Sequence, residues 1–521
     1  MMHMTRSRFR LPISRLKLNL LANFAGSGWA GLMQLAFIPL YIRFLGIEAY
    51  GLIGFYLTLQ AALQILDFGL SPTMNREMAR YSVQPERASE ARDFVRTLEV
   101  GYWALGLLIG AAIAAAAPFI ATHWIQAEAL PVDTVRQAIV LMAALSVLQW
   151  PLTLYQGGLI GLQRQMQLNA IQIGISTLTY GGAVLVVWLI SPTLTAFLGW
   201  QILTNALRVG LVTMLLWRSL PRSNREPRFD AGLIRRVWRF AAGMSGITVS
   251  ALVLTQLDKL ILSKLLSLEL FGYYSLAWVA GNTIALIVNP VFNVVFPGLS
   301  ALVAVGDTQA LTRFYHRSAQ LMAVVVAPVA AVLVLFAYDI FGLWTGNALA
   351  TRNVAPIASF LVFGSTLNSL MVLPYALQLA HGWTGLGLRI NIFLIAILVP
   401  TVLVLAARYG PVGAAAVWPM LNGLYLLIGA PLTHRRLLKR EGRRWLIEDV
   451  GLPLAGTIGI AWAGRELVVA AGPLPALGTI FSLGIVWLAT FAAAALAANQ
   501  IRAWAFSQLA RVRMIRRAPP A

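Results

Sequence analysis

Apolar runs long enough to cross a bilayer recur along the whole chain, separated by short polar connections. A hydrocarbon core about 30 Å thick calls for roughly 20 apolar residues per helix. On that measure, spans fall near 20–42, 49–70, 98–121, 135–160, 168–190, 194–217, 240–263, 270–296, 317–338, 355–380, 387–408, 411–432, 450–470 and 475–499. The pattern predicts an all-α polytopic membrane protein of about 14 transmembrane helices. Pro290 and the stretch 297–299 blur the exit of the eighth span.

Composition agrees. Hydrophobic residues make up 59% and charged residues 11%, where a soluble domain carries about 25% charged. The mean hydropathy is +0.75. A net charge of +21 would point a soluble chain toward nucleic acid. Here its placement gives a different answer. With the N-terminus inside and alternate connections assigned to the same face, one face collects Arg6, Arg8, Arg10, Arg15 and Lys17, then Arg76, Arg80, Arg87, Arg92, Arg96 and Arg164. The same face takes the arginines of 218–239, then Arg313, Arg317 and Arg389, then the basic run of 433–448 and the tail with Arg502, Arg511, Arg513, Arg516 and Arg517. That asymmetry is the positive-inside rule. It predicts a bacterial inner-membrane protein with both termini cytoplasmic, in contact with anionic lipid and with no nucleic-acid partner. The basic N-terminus leads into a full-length span rather than the short core of a cleavable signal. There is no cysteine, so disulfides and thiolate chemistry are excluded. The histidines form no HExxH pattern and no P-loop is present, so no metal or other cofactor is expected. No outside connection is long enough to hold an enzyme domain, which places function between the helices.

An internal repeat is visible. FLGIEAYGLIGFY at Phe44–Tyr56 resembles LLSLELFGYYSLA at Leu265–Ala277, pairing Glu48 with Glu269, Tyr50 with Phe271 and Gly51 with Gly272. The first span then corresponds to the seventh and the second to the eighth. This predicts two pseudo-symmetric six-helix bundles, residues 1–225 and 226–440, followed by an extra helix pair and basic tail at 441–521.

Polar side chains inside the spans gather on helical faces. Asn23, Ser27 and Gln34 share one face of the first span, and Gln60, Gln64 and Asp67 one face of the second. Gln201, Asn205 and Arg208 line the sixth, Thr248, Thr255 and Lys259 the seventh, and Asn282 and Asn289 the eighth. Polar groups cannot face hydrocarbon unsatisfied, so such stripes turn inward. Each amide alone reads as a helix–helix contact; together they predict a hydrated cavity. Arg208 lies near mid-span, where a cation costs at least about 2.5–3.5 kcal/mol. It must face water, a carboxylate such as Asp67, or an anionic ligand. A guanidinium suits phosphate because it donates two parallel hydrogen bonds. Lys259 is a second cation, adjacent to Asp258, and Asp67 is a candidate for ion coupling. The GxxxG pairs Gly106–Gly110, Gly157–Gly161 and Gly342–Gly346 read as close helix contacts.

The stretch 39–80, PLYIRFLGIEAYGLIGFYLTLQAALQILDFGLSPTMNREMAR, resembles the start of a bacterial polysaccharide flippase of the Wzx type. The resemblance rests on Pro39, on Phe44, Leu45 and Gly46, on Tyr50 and Gly51, and on Asp67 with Gly69. Leu257–Ala277 and the exit at Phe296 and Pro297 are similar to the same family. The superfamily is the multidrug/oligosaccharidyl-lipid/polysaccharide group. The resemblance implies two bundles around a central cavity. It also implies a substrate in which an undecaprenyl pyrophosphate carries an oligosaccharide repeat unit, moved from the cytoplasmic to the periplasmic leaflet by alternating access. It makes a glycan polymerase or assembly proteins candidate partners. In that reading Arg208 and Lys259 hold the pyrophosphate, while Gln60, Gln64, Asn23, Gln34, Gln201, Asn205, Asn282 and Asn289 surround the sugars. The alternatives are a lipid II flippase, a multidrug or cation antiporter of the same fold, and a membrane glycan polymerase. Lipid II flippases place an Arg-Asp pair in the first helix, where this chain reads LLANFAGSGWAG. Multidrug extruders have twelve spans and an acidic lumen.

Overall fold

The computed structural model describes residues 13–82 and 84–503, without the side chains of 13–22, 24, 85, 234, 236–248, 250 and 251. Arg6, Arg8, Arg10, Arg511, Arg513, Arg516 and Arg517 lie outside the described residues, as do the side chains of Arg15, Lys17, Arg236, Arg239 and Thr248. The elements are α1 (Ile13–Leu45), α2 (Ile47–Leu63), α3 (Leu70–Tyr81), α4 (Ala88–Phe119), α5 (Val132–Gly161), α6 (Gln165–Leu189), α7 (Leu194–Ser219) and α8 (Ala231–Leu265). There follow α9 (Leu268–Val305), α10 (Thr308–Leu335), α11 (Ala337–Thr345), α12 (Ala348–Ala380), α13 (Gly385–Leu437), α14 (Gly442–Arg444), α15 (Leu452–Ala470) and α16 (Ala476–Ala497).

Among the described residues, eleven helices are long and apolar enough to cross a membrane. α7 falls outside that group because Gln201, Asn205 and Arg208 dilute its hydropathy, and α8 because the side chains of much of its first half lie outside the described residues. α13 is two spans joined at Gly410, whose φ of 60° and ψ of −146° break the helix immediately before Pro411. Only glycine adopts that conformation cheaply, and proline starts the next helix without needing its missing N–H. Adding α7 and α8 and counting both halves of α13 gives the fourteen expected spans. The prolines of the eighth span do not end it: α9 runs through Pro290 and Pro297 to Val305.

Two compact units emerge, one through Leu252 and one from Val253, so their border falls inside α8. In the N-terminal unit the connection expected at 71–97 is largely helix. α2 ends in a tight turn where Phe68 and Gly69 have φ of 48° and 73°. Asp67 then caps α3, accepting from Ser71 N at 3.2 Å and Ser71 Oγ at 2.6 Å. α3 lies against α5 because Gly157 and Gly161 present no side chain. A Cβ there would come within 2.6 Å of Ser71 O and 2.3 Å of Asn75 O. Met74 and Met78 of α3 join Phe94, Leu98, Tyr155 and Leu216 in the buried core. Gly106 and Gly110 likewise admit Trp150 and Val147 of α5. The third GxxxG pair is different in kind: Gly346 is the left-handed cap of α11 (φ 61°). The loop after α7 is tied down by Asp93 of α4, which accepts from Arg228 N at 2.7 Å and pairs with Arg225.

In the C-terminal unit α12 packs between α9 and α13, and α10 carries the terminal helices. Val324 packs with Ala494 and Ala498, and Val332 and Phe336 pack with Val486. A buried polar clamp completes the junction. His316 of α10 has one ring nitrogen on Asp449 and the other on Glu441 at 2.9 Å. Gln320 donates to Asp449 at 2.9 Å and accepts from Gln500 N at 2.8 Å. His316 and Asp449 are fully buried. Asp449 sits on a π-helical stretch, Trp445–Gly451, a local widening that often marks a constrained site.

The repeat survives locally. α1 and α2 are separated by Gly46 alone, and α8 and α9 by Leu266 and Ser267. The matched glutamates have different tasks. Glu48 takes three backbone N–H groups, from Glu128, Ala129 and Leu130, each at 2.9 Å. Glu269 accepts from Tyr273 Oη at 2.9 Å.

Candidate functional site

The N-terminal unit holds a pocket walled by α1, α2, α5, α6 and α7. About 160 Å³ of it is open to water-sized molecules, roughly ten times what a single water requires. Arg208 reaches it from α7. Its Nη2 donates to Gln172 Oε1 of α6 at 2.5 Å, and among the described residues it forms no ion pair with a carboxylate. A guanidinium has five donors, and one bond to a neutral amide leaves both its charge and most of its donors uncommitted. Gln34, Gln201 and Asn205 line the same pocket. Asn205 is fixed by its own helix, donating to Gln201 O at 2.8 Å, and accepts from Gln149 at 3.3 Å. Tyr41 donates to Tyr180 O at 2.7 Å. The Tyr56 hydroxyl is buried in the wall and makes no well-formed hydrogen bond to the described residues, a deficit that a water or a ligand would make good.

The other polar positions expected in this half stand elsewhere. Asn23 accepts from Asn169 at 2.5 Å, a contact between α1 and α6. Gln60 donates to Ser146 Oγ at 2.8 Å, linking α2 to α5. Gln64 is exposed in the turn that ends α2. Asp67 is not the partner of Arg208: beyond its cap, Oδ1 accepts from Tyr102 Oη at 2.5 Å.

The C-terminal unit has its own pocket, bounded by α8, α9, α12 and α13, with about 340 Å³ open. Asn282 and Asn289 line it. Lys259 does not. It is buried, donating to Thr255 O at 2.6 Å and pairing with Asp258 at 3.2 Å, with its ammonium 3.4 Å from the centre of the Trp278 ring. Asp258 also accepts from Tyr274 Oη at 3.0 Å. A lysine with an adjacent carboxylate, a carbonyl and an aromatic face has its charge met by the protein itself.

Several wall residues carried no mark as site residues in the sequence. Gln172 is a neutral amide with no charge or motif to single it out. Trp278 precedes Asn282 by four residues and so shares its helix face, a spacing that could have flagged it. Trp418 and Asn368 come from distant helices, with no local signal.

The family model for polysaccharide biosynthesis proteins matches residues 17–303 of the 521-residue chain. A search of the curated proteins finds no sequence match. Among solved structures, the chain is similar to an inward-facing multidrug resistance MATE family transporter of the MOP superfamily. The TM-score is 0.66 at 14% identity, with 82% of this chain and 98% of that one covered. It is equally similar to the lipid II flippase MurJ in an inward closed conformation, with a TM-score of 0.66, 12% identity and coverage of 90% and 97%. A third is a MOP superfamily transporter from Pyrococcus furiosus, described as having a binding pocket of reverse polarity. There the TM-score is 0.56 at 14% identity, with coverage of 81% and 95%. At these identities the likeness is one of fold. The membrane-spanning architecture and a family match over more than half of the length lead to one conclusion: the chain belongs to the polysaccharide biosynthesis protein family.

Proposed function

We propose that this protein is a flippase for lipid-linked oligosaccharides, moving an undecaprenyl-pyrophosphate-bound repeat unit from the cytoplasmic to the periplasmic leaflet of a bacterial inner membrane. The observation that carries this reading is Arg208, an intramembrane guanidinium that faces a pocket with room for water-sized molecules and pairs with no carboxylate among the described residues. A head group crossing unaided would strand its hydroxyls and phosphates in hydrocarbon, each at a cost of several kcal/mol. A phosphate group matches Arg208 in charge and in geometry. The family supplies the polysaccharide context, and the basic ends of the helices support cytoplasmic termini. Alternating access between leaflets follows the behaviour of paired bundles. Asp67, held between Ser71 and Tyr102, is the coupling candidate. A multidrug exporter of the same fold is less well supported, because a cationic drug would meet a cation in this pocket.

The test is complementation. A strain lacking its flippase displays no repeat unit outside, whereas a strain lacking a polymerase still displays single units. The native chain restores display in the first strain, and Arg208→Ala does not, although it reaches the membrane at the native level. Full display with Arg208→Ala refutes the reading.

A further inference from the structure

The C-terminal pocket has a chemistry of its own. Trp278 and Trp418 form a corner, with ring centroids 5.6 Å apart and planes at 71°. Both indoles are held in place. Lys259 covers one face of Trp278, and Trp418 Nε1 donates to Ser365 Oγ at 3.1 Å. Around this corner stand Gln256, Asn282 and Asn289, whose side-chain amides make no hydrogen bond to the described residues, and Asn368, anchored by Asn422 at 2.7 Å. Among the described residues, no charged side chain lines the pocket. Its volume lies within the range of about 300–1,000 Å³ typical of small-ligand sites.

Each feature removes a class of ligand. An anion would find no cation on the wall, and a cationic drug no carboxylate. A wholly apolar ligand would leave three amides unsatisfied. A ligand that is neutral, rich in hydroxyls and apolar on one face satisfies all of them. Amides donate and accept, as hydroxyls do, and the electron-rich face of an indole attracts polarised C–H bonds. We infer that this pocket is a subsite for a neutral pyranose, with the Trp278–Trp418 corner as its stacking platform and Gln256, Asn282 and Asn289 reading its hydroxyls. The inference rests on the glycan reading above, and it separates sugar recognition, in this unit, from phosphate recognition at Arg208.

The test uses the full chain in lipid nanodiscs and saturation-transfer NMR with four methyl glycosides, those of glucose, galactose, mannose and N-acetylglucosamine. At least one receives saturation, strongest on the protons of one ring face. The double variant Asn282→Leu/Asn289→Leu, which keeps wall volume, binds it about tenfold more weakly. Trp418→Phe, which removes only part of the platform, weakens it less. Arg208→Ala leaves it unchanged. Two outcomes overturn the inference: no saturation for any of the four, or equal saturation in the native chain and the double variant. Binding of rhodamine 6G that the double variant abolishes, with no glycoside competing, also overturns it in favour of a drug pocket. The two readings fail separately. Loss of display with Arg208→Ala but no glycoside binding defeats only the subsite, whereas glycoside binding with full display by Arg208→Ala defeats only the flippase.

Discussion

The two pockets differ more than the repeat between their helices would suggest. That of the N-terminal unit is small, walled by tyrosines and amides, and open to a cation whose charge the described residues leave unpaired. That of the C-terminal unit has about twice the open volume and is walled by tryptophans and amides. The cation nearest it is neutralised by its sequence neighbour. Both halves therefore place a basic residue in a polar stripe, but of these two only Arg208, half-buried at its pocket, has charge left to offer. What distinguishes them is one residue: Asp258 precedes Lys259, whereas Leu207 precedes Arg208. A charge that the fold already satisfies is a structural element, and one that it leaves unsatisfied is a binding element.

The largest effect that sharpens this contrast is on transport. Removing the guanidinium in Arg208→Ala costs about 2–5 kcal/mol of phosphate binding, roughly thirtyfold to several thousandfold in flux, while thermal stability stays near native. Arg208→Lys recovers only part, because the bidentate fork is lost. Lys259→Met should behave in the opposite way. It leaves Asp258 buried without its cation, a loss of about 3–5 kcal/mol of stability, read as a fall in melting temperature. Adding Asp258→Asn to Lys259→Met restores most of that stability. A Lys259→Met chain that is stable but inactive would erase the distinction between the two cations.

A smaller effect separates the pockets mechanically. The Cβ of Gly364→Ala would come within 2.4 Å of Trp418 Cδ1, an overpacking of about 1–3 kcal/mol that displaces the indole corner. It should weaken glycoside binding and leave Arg208 unaffected. Gly161→Ala, within 2.3 Å of Asn75 O, should instead loosen α3 from α5 without touching the tryptophan corner. Loss of glycoside binding in Gly161→Ala would mean that the pockets are not independent.

Much of the architecture was legible because a bilayer imposes strict rules. Span length, the basic face and the break between 408 and 411 follow from hydrocarbon thickness, positive-inside bias and a Gly-Pro pair. Arg208 stood out because few residues are as costly at mid-span. The rest depended on partners far apart in sequence. Nothing near Lys259 reveals that the Trp278 ring lies against it, and nothing near His316 announces Asp449 and Glu441, more than a hundred residues away. α3 was hidden by its polarity. Its helical face is set by Gly157 and Gly161 on α5, which read as a generic contact motif until their partner is known.

The most direct test uses proteoliposomes carrying a lipid-linked oligosaccharide labelled on its sugar, with exposure of the label at each leaflet followed by an added glycosidase. The native chain should bring protected label to the outer surface over time, and Arg208→Ala should hold it at the level of protein-free vesicles. Native-rate exposure by Arg208→Ala, or exposure by the native chain no faster than in empty vesicles, would contradict the account.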